Sequence, residues 1–98
     1  MSIDRGLLAT LEAKPGKEEE LRAFLEKGRE LAAAEEGTVT WYAFRLGPTT
    51  FGIFDTFTDE DGRQAHLNGE IPAALGQFGP DLLAADPDIR TIDVIAVK

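Results

Sequence analysis

The chain has 98 residues, 18 acidic and 10 basic side chains, a formal charge of −8, an apolar fraction of 43% and no cysteine. That size and apolar content fit one folded domain and argue against disorder. The acidic balance disfavours a nucleic-acid partner, and the lack of cysteine removes disulfides, thiol catalysis and thiolate metal sites.

Residues 1–6 show no basic-then-apolar leader, and no apolar run is long enough for a membrane span. The expectation is a cytoplasmic protein without membrane association. The acidic residues, Glu35 and Glu36 among them, are scattered along the chain and read as a solvated surface.

In chain order, residues 6–13 predict a strand, with Leu7, Ala9, Leu11 and Ala13 on one face and Leu8, Thr10 and Glu12 on the other. Pro15 and Gly16 end it. Residues 17–36 predict a helix, because Leu21, Phe24, Leu25, Gly28, Leu31 and Ala32 form one stripe. Glu18, Glu19 and Glu20 suit the positive end of its dipole, and Gly37 is placed to end it in the left-handed conformation. Gly28, on the buried stripe, lets the helix approach the sheet.

Residues 38–46 and 50–57 flank Gly47-Pro48-Thr49 and predict an antiparallel hairpin. Pairing Leu46 with Thr50 sets Phe44 opposite Gly52, Tyr42 opposite Phe54 and Trp41 opposite Asp55. One face then carries Val39, Trp41, Ala43, Arg45, Phe51, Ile53, Asp55 and Phe57; the other carries Tyr42, Phe44, Leu46 and Phe54. Thr58 and Asp61 suggest a capping-box helix start running to about Asn68. A second helical piece is expected over 73–78, one more turn over 80–85, and a last strand over 89–97, apolar on both sides.

The order strand, helix, strand, strand, helix, strand gives an α+β, ferredoxin-like split βαβ arrangement: a four-stranded antiparallel sheet with its helices on one face. The other apolar face then needs a partner. A second copy is the economical one, giving a homodimeric α/β barrel with roughly 800 Å² or more buried per protomer.

Local strings agree with this order. KPGKEEEL (14–21), AEEGTVTWY (34–42) and FDTFTDEDGRQAH (54–66) resemble the antibiotic biosynthesis monooxygenase-like family of dimeric α/β barrels over nearly the whole chain. The resemblance includes an acidic residue, an aromatic two later, and a His preceded by Ala, here Asp55, Phe57 and Ala65-His66. It implies one of several activities: cofactor-independent oxygenation of polyketides or quinols, haem degradation, or isomerisation. Ala9 stands where the haem-degrading branch has Asn, which argues against that branch. Phe57 replaces the family's frequent Trp or Tyr and has no hydrogen-bond donor.

The candidate site follows. His66, the sole histidine, is the only side chain whose ordinary pKa lies near neutrality, and it is the candidate catalytic residue, for taking a proton or holding an oxyanion. Trp41, Arg45, Asp55, Phe57 and Asn68 are the candidate substrate contacts. Each also has a structural alternative: core aromatics for Trp41 and Phe57, an ion pair for Arg45 and Asp55, a helix end for Asn68.

Phosphate loops, dinucleotide fingerprints and metal-ligand spacings are absent, so no cofactor or metal is expected. The leading expectation is a cofactor-independent monooxygenase acting on a small aromatic, quinol or polyketide-like molecule. The alternatives are a non-catalytic small-ligand-binding or assembly module and a proton-transfer isomerase.

Overall fold

The strands pair in the order β2-β3-β1-β4, every neighbour antiparallel. The computed structural model describes residues 3–98. Its elements are β1 (Arg5–Glu12), α1 (Glu18–Ala33), β2 (Thr38–Arg45), β3 (Thr50–Phe57), α2 (Glu60–Leu67), α3 (Glu70–Leu82) and β4 (Asp88–Asp93). This is the ferredoxin-like α+β fold that the order of elements implied.

Alternation along the strands decides what each face does. Leu7, Ala9 and Leu11 of β1 lie opposite Asp55, Ile53 and Phe51 of β3. Ala9, Leu11, Phe51 and Ile53 join Leu21, Leu25 and Ala32 of α1 and Ile71, Leu75 and Leu82 of α3 in one buried core. Phe24, Leu31 and Trp41 pack against it. The other face carries Leu8, Tyr42, Phe44 and Phe54. Tyr42 is 59% exposed there, its ring stacked on Phe54 at 6.4 Å.

The hairpin register matches the expected one: the Leu46 N–H donates to the Thr50 carbonyl, and Phe44, Tyr42 and Trp41 face Gly52, Phe54 and Asp55. The Phe44 ring lies over Gly52 so closely that a Cβ there would stand 2.3 Å from it. Val39 departs from expectation. The register shifts between Thr38 and Thr40, so Val39 is the extra residue of a bulge and is exposed.

Both helical boundaries and caps need correction. α1 ends at Ala33, and its cap, Ala34, is right-handed. Among the described residues the only left-handed glycine is Gly16 (φ 84°), in the turn after Pro15. Gly37 instead serves close approach, since a Cβ on it would lie 2.7 Å from the Gly62 Cα. The N-cap of α2 is Asp59, not Thr58; its carboxylate accepts from the Gly62 N–H at 2.8 Å.

α3 is one continuous helix rather than two pieces. Pro72 falls in its first turn, where an N–H has no intrahelical acceptor, and Pro80 falls in its last. The final strand is shorter than expected: β4 stops at Asp93, where β1 runs out of partners at Arg5. No described helix is long and apolar enough to cross a membrane.

Candidate functional site

β3 aims Asp55 and Phe57 at the helices, and α2 lays His66 over them. His66 is 6% exposed and Asp55 is 1% exposed. The Phe57 ring lies 5.2 Å from the imidazole. His66 Nε2 is 3.1 Å from Asp55 Oδ2, and Nδ1 is 2.7 Å from Glu35 Oε1. The same Glu35 oxygen accepts from Thr38 Oγ1 at 2.7 Å. Glu35 lies just after α1, in the segment that leads into β2.

A carboxylate can only accept, so two carboxylates on one ring require both nitrogens to donate. With both carboxylates ionised, the arrangement favours the imidazolium form of His66. Burial alone pulls its pKa down; the hydrogen bonds to Asp55 and Glu35 more than reverse that and leave it above its ordinary 6.5. The two carboxylates sit at opposite nitrogens and do not converge. Among the described residues no cluster of such groups is arranged to hold a metal ion.

Two atoms beside this network stand out. Asp55 Oδ1 and Trp41 Nε1 are both buried and have no hydrogen-bond partner among the described residues. They belong to directly opposed residues of β3 and β2 and lie on the same face. One is an acceptor and the other a donor, and buried polar atoms left alone are costly. The Trp41 ring edge passes under Gly28 of α1, where a Cβ would be 3.4 Å away. The expected close approach at Gly28 is thus made to an indole. Trp41 also lines a groove of about 670 Å³ between the β2 edge and α1, shared with Leu25, Arg29, Arg45 and Phe51.

The family model described as antibiotic biosynthesis monooxygenase matches residues 5–74. The chain belongs to that family. A solved protein of unknown function from Nitrosomonas europaea is 49% identical, with a TM-score of 0.95 over 98% of this chain and 93% of that one. Two candidate antibiotic biosynthesis monooxygenases share the fold. One, from Nitrosomonas europaea, is 13% identical, with a TM-score of 0.84 over 97% of this chain and 93% of that one. The other, from Caulobacter crescentus, is 22% identical, with a TM-score of 0.78 over 96% and 92%. No curated protein matches.

In this member of the antibiotic biosynthesis monooxygenase family the string 54–66 folds back on itself, so Asp55, Phe57 and His66 meet although α2 follows β3 by a turn. Trp41 joins them across the strand pair. Arg45 and Asn68 do not. Arg45 is at the hairpin end of β2, donating to the Gly47 and Pro48 carbonyls at 3.2 and 2.8 Å. Its guanidinium lies 4.8 Å from the Phe51 ring centre and 3.6 Å from Glu19. An Arg45–Asp55 ion pair is therefore not formed: Asp55 is paired with His66. Asn68 caps α2, its amide donating to the Gln64 carbonyl at 2.9 Å.

Glu35 is the member that sequence reasoning missed. It reads as surface charge beside Glu36, and only the topology sets the end of α1 against α2.

Proposed function

We propose that the protein is a cofactor-independent monooxygenase of small hydroxylated aromatic, quinol or polyketide-like molecules. The observation that carries this reading is the unpartnered pair of Trp41 Nε1 and Asp55 Oδ1. A substrate hydroxyl is both acceptor and donor, so it satisfies both atoms at once. The body of the molecule lies in the groove at the β2 edge, whose size suits such a ligand. Arg45, further along that groove, faces a second ring oxygen.

The proton logic follows from His66. An imidazolium cannot accept a proton, so Asp55 Oδ1 is the first acceptor. His66, still charged, offsets the negative charge that builds up on the ionised substrate, and Glu35 keeps the ring oriented. Phe57 closes the apolar wall and keeps water out. The ionised substrate then supplies the electrons: an activated methylene and dioxygen give a carbonyl and one water, the second oxygen atom and both methylene hydrogens leaving in that water. The protein acts as a homodimer in the cytoplasm, with the open sheet face as the interface.

The test is oxygen uptake with a panel of quinols and polycyclic phenols, without added cofactor. Uptake by the wild type that falls at least tenfold in both Asp55→Asn and His66→Ala supports the reading. Uptake unchanged in both variants removes these residues from the reaction.

A second reading has its own observation. A histidine locked between two carboxylates is also what a purely structural network looks like, and then the groove belongs to a non-catalytic small-ligand-binding module. A ligand that binds unaltered, with no oxygen consumed, supports it. Turnover that proceeds equally well without oxygen marks a proton-transfer isomerase instead.

A further inference from the structure

The arginines are unevenly placed. Of the six in the chain, Arg22, Arg29 and Arg45 line the groove between the β2 edge and α1, and Glu26 is the one acid among its lining residues. Three cations against one anion reverse, over this small area, the −8 balance of the whole chain. Arg22, Leu25, Glu26 and Arg29 fall at i, i+3, i+4 and i+7 of α1, so they share one helical face.

Five of the six arginines are already engaged. Arg5, Arg22, Arg45, Arg63 and Arg90 each have a carboxylate oxygen within 3.6 Å. Arg29 has no ion pair and donates no hydrogen bond among the described residues. Glu26, three positions earlier, is held by Arg22 at 3.2 Å. Arg29 is exposed and directly follows Gly28, whose bare Cα faces the Trp41 ring. The groove therefore has a buried polar atom on its inner side, Trp41 Nε1, and an unpaired guanidinium at its mouth. Leu25, Ala43 and Phe51 supply the apolar wall.

We propose that Arg29 receives a carboxylate of the substrate, so that the groove selects an aromatic acid whose hydroxyl and carboxylate lie at opposite ends of the ring system. A guanidinium presents paired N–H donors that match the two oxygens of a carboxylate. Beside an apolar wall that pairing is screened less than in open water. Arg22 and Arg45 keep their own carboxylates; they add to the attraction without supplying the fork. A neutral ligand of the same shape leaves Arg29 hydrated at no cost, so the gain belongs to the acid alone. This rests on the groove described in the reading above and adds the second group of its substrate, but it does not depend on the oxygen chemistry.

The test is calorimetric binding of 6-hydroxy-2-naphthoate and of its methyl ester, which keeps the ring and the hydroxyl but carries no charge. The wild type, Arg29→Gln and Arg29→Lys are compared. The wild type is expected to bind the acid about tenfold or more tightly than the ester, with the preference shrinking at high salt. In Arg29→Gln the two affinities are expected to fall within about twofold of each other, the ester's being unchanged, and Arg29→Lys restores part of the preference. Because Arg29 is exposed, both variants are expected to keep the wild-type urea midpoint. Equal binding of acid and ester by the wild type overturns the carboxylate site and leaves the groove reading standing. A preference that persists in Arg29→Gln overturns the assignment to Arg29. Binding of neither compound overturns the groove reading with it.

Discussion

The two faces of the sheet are built from similar residues and have opposite fates. Ala9, Leu11, Phe51 and Ile53 are sealed under α1 and α3. Tyr42, Phe44 and Phe54, one residue out of phase, are left half-buried or exposed. The covered face also holds the buried charges: Asp55 and His66 sit among its apolar neighbours. A face that excludes water can hold a proton network at the strength that chemistry needs. An apolar face open to water has no such use, and in the homodimer proposed above its value lies in association.

The sharpest way to break this contrast is at the network. His66→Ala leaves the buried Asp55 and half-buried Glu35 carboxylates without their shared cation, and the loss of stability is expected to be about 3–5 kcal/mol. Leu21→Ala, under α1, is expected to cost about 2–5 kcal/mol through the cavity it opens. Both are read from urea midpoints.

On the open face, Tyr42→Ala is expected to change the unfolding free energy of the monomer by under about 1 kcal/mol while weakening self-association in a dilution series. Equal losses at Leu21 and Tyr42 in the monomer would show that the faces do not differ. Asp59→Ala, which removes only the α2 cap, is expected to cost about 1 kcal/mol by the same assay.

A pH series sharpens the comparison further. The folded pKa of His66 lies above its ordinary 6.5. Its contribution is therefore complete below about pH 6.5 and is lost as pH rises through the raised value. The urea midpoint should fall from pH 6 towards pH 9 in the wild type, and the fall should flatten in His66→Gln. A slope unchanged by that substitution would assign it to other groups.

Much of the fold was legible because period and register are local. The alternation in β1, the stripe Leu21-Phe24-Leu25-Leu31-Ala32 and the Leu46–Thr50 pairing each need only neighbouring residues. The failures share a different cause. Gly37 read as a helix stop, yet its bareness answers to Gly62, 25 positions later. The second helical piece was expected only from residue 73, yet α3 starts at Glu70, which places Pro72 in its first turn and makes its missing N–H harmless.

The site was legible in part. Asp55, Phe57 and His66 lie in one stretch, and Trp41 is fixed by the hairpin register. Glu35 gave no signal, since an acidic residue after a helix has the same appearance whether it faces water or an imidazole. Arg45 was assigned to the correct face but the wrong partner, because a strand position sets direction and not reach.

The contact between Gly37 and Gly62 constrains how this chain can vary. A Cβ at Gly37 would come within 2.7 Å of the Gly62 Cα, and one at Gly62 within 3.0 Å of the Gly37 carbonyl oxygen. Whichever position acquires a side chain first meets rigid backbone rather than a group that can swing aside. A larger residue at Gly37 becomes tolerable only after the start of α2 has shifted from β2, and one at Gly62 only where the Gly37 carbonyl gives by a few tenths of an ångström. Because Glu35 and His66 flank this contact, a lineage that loosened it would also pull apart the imidazolium and its second carboxylate. Libraries that diversify the rim around His66 should therefore hold both glycines fixed and spend their variation on Glu36, Asp61 and Ala65, which are exposed around the same depression.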